Sequence, residues 1–518
     1  SFMNQQHELK VKEFIVQRYP DLFVTLSSEV SPYLGEYERT TTTLINAYLG
    51  PRAKREFTTM SLAFNQQGFS HPPFIMQSTG GVVWAEEAAQ KAVYTLSSGP
   101  AGGVMGAANT GKLLGYDNII ATDMGGTSFD VGLILRGEVP LARSPIYDRY
   151  RVLIPTLDVV SIGAGGGSIA HVDAQTGTIN VGPQSAGAQP GPVCYDWGGT
   201  DPTVTDADIT LGRINPDNFF GGRKQLNKSK AEQAIKEKIA EPLHMDAIQA
   251  AKGIVDIVDA HMADLIRKAT IERGYDPRDF VLLSYGGAGP VHVGAYAREL
   301  GIKKAIISFH SPVFSALGIV SSDIVRFYAR SEPLRMPVKA ERLNSIFSGL
   351  ALDARQDLER SGTKGNISFI RSIDMRFRYQ VHQLAVSIPD KELTQADVDD
   401  IPNRFENLYE QVFGTGTAFK AAGIELVTFR LVCRVSLPRP TLKQYDVRGN
   451  DPSAALVGQR PVYFESFLPT PIFDMSKLAA GNVIVGPAII EGPATTVSIH
   501  PGQRAEVDGY LNIVLEVG

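Results

Sequence analysis

Hydrophobic and polar positions alternate with two periods along this chain. The stretch "HELKVKEFIVQ" (7–17) spaces its apolar residues among acids and bases as an amphipathic helix does, and "LFVTLS" (22–27) reads as a strand. A long helix is predicted from "EYERTTTTLINAYLG" (36–50), a strand at "FIMQS" (74–78), a helix at "AEEAAQKAVYT" (85–95) and a loop at "LSSGPAGGVMGAA" (96–108). Strands and helices then alternate to about residue 330, which predicts an α/β body. Beyond it, helical patterns at 340–360 and 398–414 flank strand patterns at 372–379 and 425–438, an α+β appendage. The remainder, from 441, is short strands separated by Gly/Pro turns and predicts a small β-rich domain.

Five glycine clusters close predicted strands in the body: "STGG" (78–81), "SGPAGG" (98–103), "DMGGTSFD" (123–130), "SIGAGGGSIA" (161–170) and "SYGGAGPVHV" (284–293). Glycine at such positions marks turns, and it also lets peptide N–H groups approach an anion without a Cβ in the way. In "ATDMGGTSFDVGLI" (121–134) both flanks read as strand, so the polar centre forms a tight hairpin that carries two acids and two hydroxyls. A Walker loop would require a lysine that is absent here, and a dinucleotide fingerprint would lead into a helix, whereas "SFDVGLIL" continues as strand. The form DxGGTxxD resembles the phosphate loop of the sugar kinase, actin and heat-shock chaperone superfamily. In that superfamily glycine amides and a threonine contact ATP phosphates, and an aspartate orients magnesium or its waters.

The wider set of motifs extends the resemblance. "EYERTTTTLINAYLGP", "LSSGPAGGVMGAA", "DMGGTSFDVGLI", "SIGAGGGSIAHVD", "GPQSAGAQPGPVCYDWGGTDPTVTDADITLGRINPDNFFGG" and "SYGGAGPVHV", in that order, resemble the hydantoinase A/oxoprolinase family over nearly the whole chain. That family includes ATP-dependent hydantoin and oxoproline hydrolases and the ATP-binding subunits of acetone and acetophenone carboxylases. The resemblance implies an α/β fold with an actin/sugar-kinase-like ATPase lobe, its first lobe largely missing, plus the α+β appendage and the C-terminal β domain. The expected division is 1–75 for the end of the first lobe and a connecting helix, 76–335 for the second lobe with its glycine loops, 336–440 for the appendage and 441–518 for the β-rich domain. Family members begin with a lobe bearing a first DxGGTxxD loop, which has no counterpart before "SFMNQQHE", so this chain alone is expected to bind ATP poorly.

Carried over by position, Gly125, Gly126 and Thr127, flanked by Asp123 and Asp130, form the second phosphate loop, with Asp123 at the Mg2+ (or Mn2+). Gly286, Gly287 and Gly289 border the adenosine. Gly99, Gly102 and Gly103 contact phosphate at a helix N-terminus, while "GAGGGS" and "TVTDAD" face the substrate. The implied function is an ATP-binding subunit that activates a small-molecule carbonyl substrate by phosphoryl transfer, within a ketone carboxylase complex. Its alternatives are a subunit of an ATP-dependent cyclic-amide hydrolase (hydantoinase/5-oxoprolinase type) and a non-catalytic scaffold. The implied partner is a hydantoinase B-type subunit, joined by a further small subunit in the ketone carboxylases.

Composition removes other classes. The chain has 518 residues, 43% hydrophobic and 20% charged, with a formal net charge of −5 and no dense Lys/Arg run, so nucleic acid and anionic membranes are disfavoured partners. No run approaches the roughly 20 apolar residues of a membrane span, and the first residues lack the pattern of a secretory leader, which makes a cytoplasmic location the expectation. Cys194 and Cys433 are too far apart to suggest a zinc site, and Cys194 reads as a packed cysteine rather than a reactive thiol. His171, His292 and His310 lie in or beside glycine loops, where imidazole suits proton transfer. His292 joins Asp123 and Asp130 as a catalytic candidate, with a structural histidine as the alternative. "HVDAQTGTI" (171–179) is read as a hairpin turn in preference to a calcium loop.

Overall fold

The computed structural model describes residues 4–142 and 145–518. They form two compact units: one takes the described residues up to Ala101 with Leu141–Leu157 and Ser321–Arg439, the other Gly102–Pro140, Asp158–Val320 and Pro440–Gly518. This division differs from the four consecutive segments expected from the sequence, and strand pairing is the reason.

In the first unit a six-stranded sheet runs in the order Phe74–Met76, Val82–Trp84, Ile324–Arg335, Ile424–Val435, Ile367–Phe377, Leu384–Ile388. The long strands Ile324–Arg335 and Ile424–Val435 are antiparallel neighbours, so residues 336–440 share one sheet with Val82–Trp84 and are not a separate appendage. Helix Ala340–Arg360 buries Leu343, Ile346, Phe347, Leu350, Ala354 and Leu358, the three- and four-residue spacing of one helical face. The predicted helix at 36–50 extends over Glu36–Gln66, where Thr40, Thr41, Thr42 and Thr43 each return their hydroxyl to the carbonyl four residues earlier. The strand expected at 22–27 does not form: that segment has no partner strand among the described residues, and Ser27–Val30 is one helical turn.

The second unit is built on an eight-stranded sheet, in the order Val483–Val485, Arg504–Val507, Ile513–Glu516, Lys304–Ile307, Val281–Tyr285, Ile119–Met124, Phe129–Ile134, Val159–Ile162. Its centre, Lys304–Ile307, Val281–Tyr285 and Ile119–Met124, is parallel, and both flanks are antiparallel. Three C-terminal strands complete this sheet, and Ile513, Leu515, Ile490 and Val497 share a core with Leu282, Ile120 and the buried face of helix Ala247–Thr270. The tail after 441 is thus part of the body's core. A separate four-stranded sheet pairs Leu456–Tyr463, Phe467–Asp474, Ala488–Glu491 and Thr496–Ile499.

The loop predicted at 96–108 is mostly helix, Ser98–Leu114. Its glycines lower helix propensity, but tertiary packing overrides that: a Cβ at Gly102 would meet Ser315 O at 2.9 Å, and one at Gly103 would meet the Tyr285 ring. No helix among the described residues is long and apolar enough to cross a membrane.

Candidate functional site

The hairpin of strands Ile119–Met124 and Phe129–Ile134 turns through residues 125–128, with the Gly125 amide donating to Ser128 O at 3.2 Å. Two other glycine loops close on that tip. Gly166 and Gly167 donate to the carbonyls of Gly125 and Gly126 at 3.0 and 2.7 Å, and Ala288 donates to Met124 O at 3.1 Å. The Gly166 carbonyl accepts both the amide and the hydroxyl of Thr205, each at 2.8 Å. The sequence clusters 123–130, 161–170 and 284–293 therefore meet at one place.

The glycines there have different causes. Gly286 has φ +84°, and a Cβ on it would meet Asp123 Oδ1 at 2.5 Å; a Cβ on Gly165 would meet Thr127 N at the same distance, and one on Gly289 would lie 3.0 Å from Ser284 Oγ. The fold itself demands the first two. At Gly125 and Gly126 no neighbouring atom lies within 4 Å of a built Cβ, and neither has a positive φ. Neither packing nor backbone conformation explains those two glycines, which line a cavity of about 250 Å³. Gly125, Gly126, Gly166, Gly167, Gly287 and Thr205 are among the residues that line it.

Below the tip, Asp123 and Asp130 stand directly opposite each other on the two strands. Burial first, and then the charge of Asp130, push Asp123 up to about 6, against a bond from Ser315 Oγ at 3.3 Å. Burial also raises Asp130, although Ser161 and Ser128 donate to it. Two half-buried carboxylates that oppose each other's ionisation suit a hard cation, which takes oxygen ligands and tolerates few from protein. No group of three or more His, Cys, Asp or Glu side chains suited to a metal occurs among the described residues, so further ligands to a cation here would be hydroxyl, backbone carbonyl, phosphate or water oxygens. Two carboxylate oxygen donors fit Mg2+ or Mn2+.

Asp123, Asp130 and Thr127 belong to the hairpin but are not among the residues that line the cavity, and the other sequence candidates fall elsewhere. His292 is fully buried on helix Gly289–Glu299 and does not line the cavity; its Nδ1 lies 2.8 Å from Asp259 and its Nε2 3.3 Å from Asp208. Burial opposes its charge, but the two acids outweigh that and raise it to about 10, and its contacts are to these interior carboxylates and not to the cavity. Gly102 and Gly103 are packing glycines, as described above, and the Gly102 carbonyl abuts Gly318; Gly99 is the second residue of its helix, with open space beside it. "TVTDAD" divides its roles. Thr203 and Asp206 form a capping box, Thr205 reaches the cavity, and Asp208 pairs with His292. Cys194 is buried, and burial beside Asp206 pushes its thiol far above the usual range. Residues 171–179 form the turn of a hairpin closed by Asp173, whose carboxylate accepts from the amides of Gln175 and Thr176.

The aromatic and C-terminal part of the lining was not singled out as a site from sequence. It comprises Tyr195, Asn215, Asn218, Phe219, Phe220 and the segment 491–496. Its one visible signal was "INPDNFFGG", where aromatics precede a glycine pair.

Comparison with known proteins identifies the family. The hydantoinase/oxoprolinase profile matches residues 39–327 and the hydantoinase/oxoprolinase C-terminal domain profile residues 333–516. The chain is 39% identical to the acetophenone carboxylase gamma subunit of Aromatoleum aromaticum, over all of this chain and 72% of that protein. Among solved structures, the ATP-dependent caprolactamase from Pseudomonas jessenii superposes with TM-score 0.87 at 34% identity, covering 99% of this chain and 75% of that one. A nucleotide-free acetone carboxylase, from work on ATP-dependent acetone carboxylation, gives TM-score 0.84 at 30% identity over 100% and 75%. The mixed α/β architecture is thus that of ATP-dependent enzymes of two reaction classes, and with both profiles together spanning most of its length, the chain belongs to the hydantoinase/oxoprolinase family.

Proposed function

We propose that this chain is the ATP-binding subunit of an enzyme that activates a carbonyl substrate by phosphoryl transfer, with a ketone as substrate and carboxylation as outcome. The observation that carries the reading is the pair Gly125 and Gly126, glycines that the fold does not require, at the tip of a hairpin with two facing carboxylates. The amides of this tip and the Thr127 hydroxyl bind phosphate oxygens, and Asp123 and Asp130 hold the divalent cation. That cation, when bound, neutralises charge on the phosphates. A phosphoryl transfer asks the protein mainly for position and oriented dipoles, which rigid backbone amides supply. We read the second unit as the second lobe of an actin/sugar-kinase-like ATPase, from the antiparallel hairpin beside a parallel strand and the glycine loops that meet on it. The naming of its relatives as subunits supports a multi-subunit complex, and the partner we propose in it is of the hydantoinase B type.

The ketone branch is favoured by the 39% identity with an acetophenone carboxylase subunit. A cyclic-amide hydrolase is the second reading, favoured by the fit to caprolactamase. The test uses the complete complex. Phosphate release from ATP is expected only when a ketone and bicarbonate are both supplied, with labelled carbon entering a β-keto acid. Asp123→Asn is expected to abolish it with the melting temperature held within a few degrees. Full turnover with a lactam, hydantoin or 5-oxoproline and no bicarbonate moves the protein to the second reading, and an Asp123→Asn enzyme with unchanged turnover sinks both.

A further inference from the structure

The cavity's aromatic lining has a chemistry distinct from its glycine lining. Tyr195, Phe219 and Phe220 form a continuous aromatic series, with ring centroids 5.6 Å apart for the first pair and 4.6 Å for the second. Phe220 is 47% exposed and sits at φ +50°, followed by Gly221 and Gly222 at +63° and +79°. A bulky side chain in the left-handed region carries backbone strain, and such strain persists where the surroundings impose it, often at ligand sites. Nothing in the core requires this ring, since nearly half of it faces solvent.

Beside the rings is a polar edge held in place from the C-terminal strands. Glu491 is buried; its Oε2 accepts from Asn218 Nδ2 at 2.8 Å and Asn215 Nδ2 at 3.3 Å, and its Oε1 accepts from Arg460. The Asn215 carboxamide oxygen also accepts the Asp217 amide at 3.0 Å. Glu491 thereby orients Asn218 and leaves it one carboxamide oxygen and one N–H to offer. An adjacent donor and acceptor on one asparagine match the amino group and ring nitrogen of adenine, whereas a simple ketone offers only an acceptor.

We propose that this wall is the nucleobase subsite: Phe220, continued by Phe219 and Tyr195, is the platform on which the purine of ATP stacks, and Asn218, set by Glu491, reads its edge. The inference rests on the assignment of ATP to this cavity. It makes Phe220 a specificity determinant and Glu491 a positioning residue.

The test compares two ligands of the complete complex, Mg·ATP and Mg·tripolyphosphate, the second having phosphates and no base. Phe220→Gly removes the ring at a φ that glycine adopts freely, so the turn is retained. The expected result is a KM for ATP raised on the order of ten-fold, the magnitude of one lost base–aromatic stack. Inhibition by tripolyphosphate and the KM of the carbonyl substrate should be unchanged, and Phe220→Tyr should restore the KM for ATP. Three results overturn the inference: an unchanged KM for ATP, a raised KM for the carbonyl substrate alone, or an equal weakening of ATP and tripolyphosphate. A wild-type complex that neither turns over ATP nor is inhibited by tripolyphosphate removes the underlying assignment instead, and the subsite with it.

Discussion

Alanine at Gly126 and alanine at Gly318 should have opposite consequences, and the contrast tests the phosphate loop directly. At Gly126 a Cβ meets no neighbouring atom within 4 Å and φ is not positive, so Gly126→Ala adds a methyl into open space. A compatible Gly→Ala change stabilises a protein by about 0.4–1 kcal/mol through the unfolded chain. The variant should therefore melt at or slightly above the wild-type temperature. At Gly318 a Cβ would fall deep inside the contact distance of Gly102 O and 2.7 Å from Gly106 N. Both neighbours are helical backbone and cannot step aside cheaply. Gly318→Ala should cost about 1–3 kcal/mol or more and lower the melting temperature by several degrees. The assay is the rise in melting temperature with Mg·ATP, a direct measure of ligation to the folded state, together with ATP turnover in the complete complex. Gly126→Ala should lose most of that rise and at least ten-fold in turnover, because its methyl occupies the space in which a phosphate would meet the tip amides. Gly318→Ala should keep its turnover at temperatures where it is folded. An alanine at 126 with an undiminished ATP response would refute the reasoning, since the open space would then be incidental.

Three further outcomes follow from the interior of the second unit. Asp206 is buried and accepts from the amides of Val193, Cys194 and Thr203 at 3.1, 2.7 and 2.9 Å, so Asp206→Ala should destabilise by about 3 kcal/mol or more, read by denaturant unfolding. Cys194, buried with its thiol pushed far up, should resist maleimide at pH 8 until the protein is unfolded, as counted by mass spectrometry. His292 faces Asp208 and Asp259, with Arg213 and His500 nearby, and is raised from 6.5 to about 10; its contribution is therefore complete below pH 6.5 and is lost as pH rises through 10. Melting temperatures should fall across that window in the wild type and less steeply in His292→Gln.

The sequence was informative where local chemistry dictates local structure. The hairpin at 121–134 was legible because two strand patterns flank a glycine pair, and the strand register then places Asp123 opposite Asp130 without further information. That the glycines of the loops at 161–170 and 284–293 serve one site with that hairpin was implied by the family resemblance. Their separate causes were not, since a glycine required by φ, one required by a neighbour's backbone and one required by neither are identical as letters. Gly102 shows the cost of this ambiguity: it reads like a phosphate glycine and is a contact between helices. His292 was misleading for a related reason. Its place directly after a glycine loop suggested an active-site group, yet it lies on the helix that follows, on the face turned toward Asp208 and Asp259, which are far away in sequence. The division into units was hidden because long strands at 324–335 and 424–435 pair across a hundred residues.

The aromatic wall of the cavity shows why chemistry separated in sequence can still act at one site. Glu491 ends strand Ala488–Glu491, which is parallel to Phe467–Asp474 and antiparallel to Thr496–Ile499. Its carboxylate therefore has a position fixed by a sheet, and not by the loop on which Asn215 and Asn218 sit. A buried carboxylate held by Arg460 and two asparagines is costly unless all its bonds are made, so the loop at 214–220 is drawn toward it. The same turn from 492 to 495 closes on itself through Gly492 N to Thr495 O at 2.8 Å and reaches Gly287 O through the Thr495 hydroxyl at 3.2 Å. The C-terminal segment thus braces the aromatic wall and the glycine wall from one rigid edge. Removing the Glu491 charge should then disturb both walls, with Glu491→Gln weakening Mg·ATP and Mg·tripolyphosphate together, whereas Phe220→Gly weakens Mg·ATP alone. Paired melting-temperature shifts with the two ligands measure that difference, and a Glu491→Gln protein affected only toward ATP would show that the two walls are not mechanically joined.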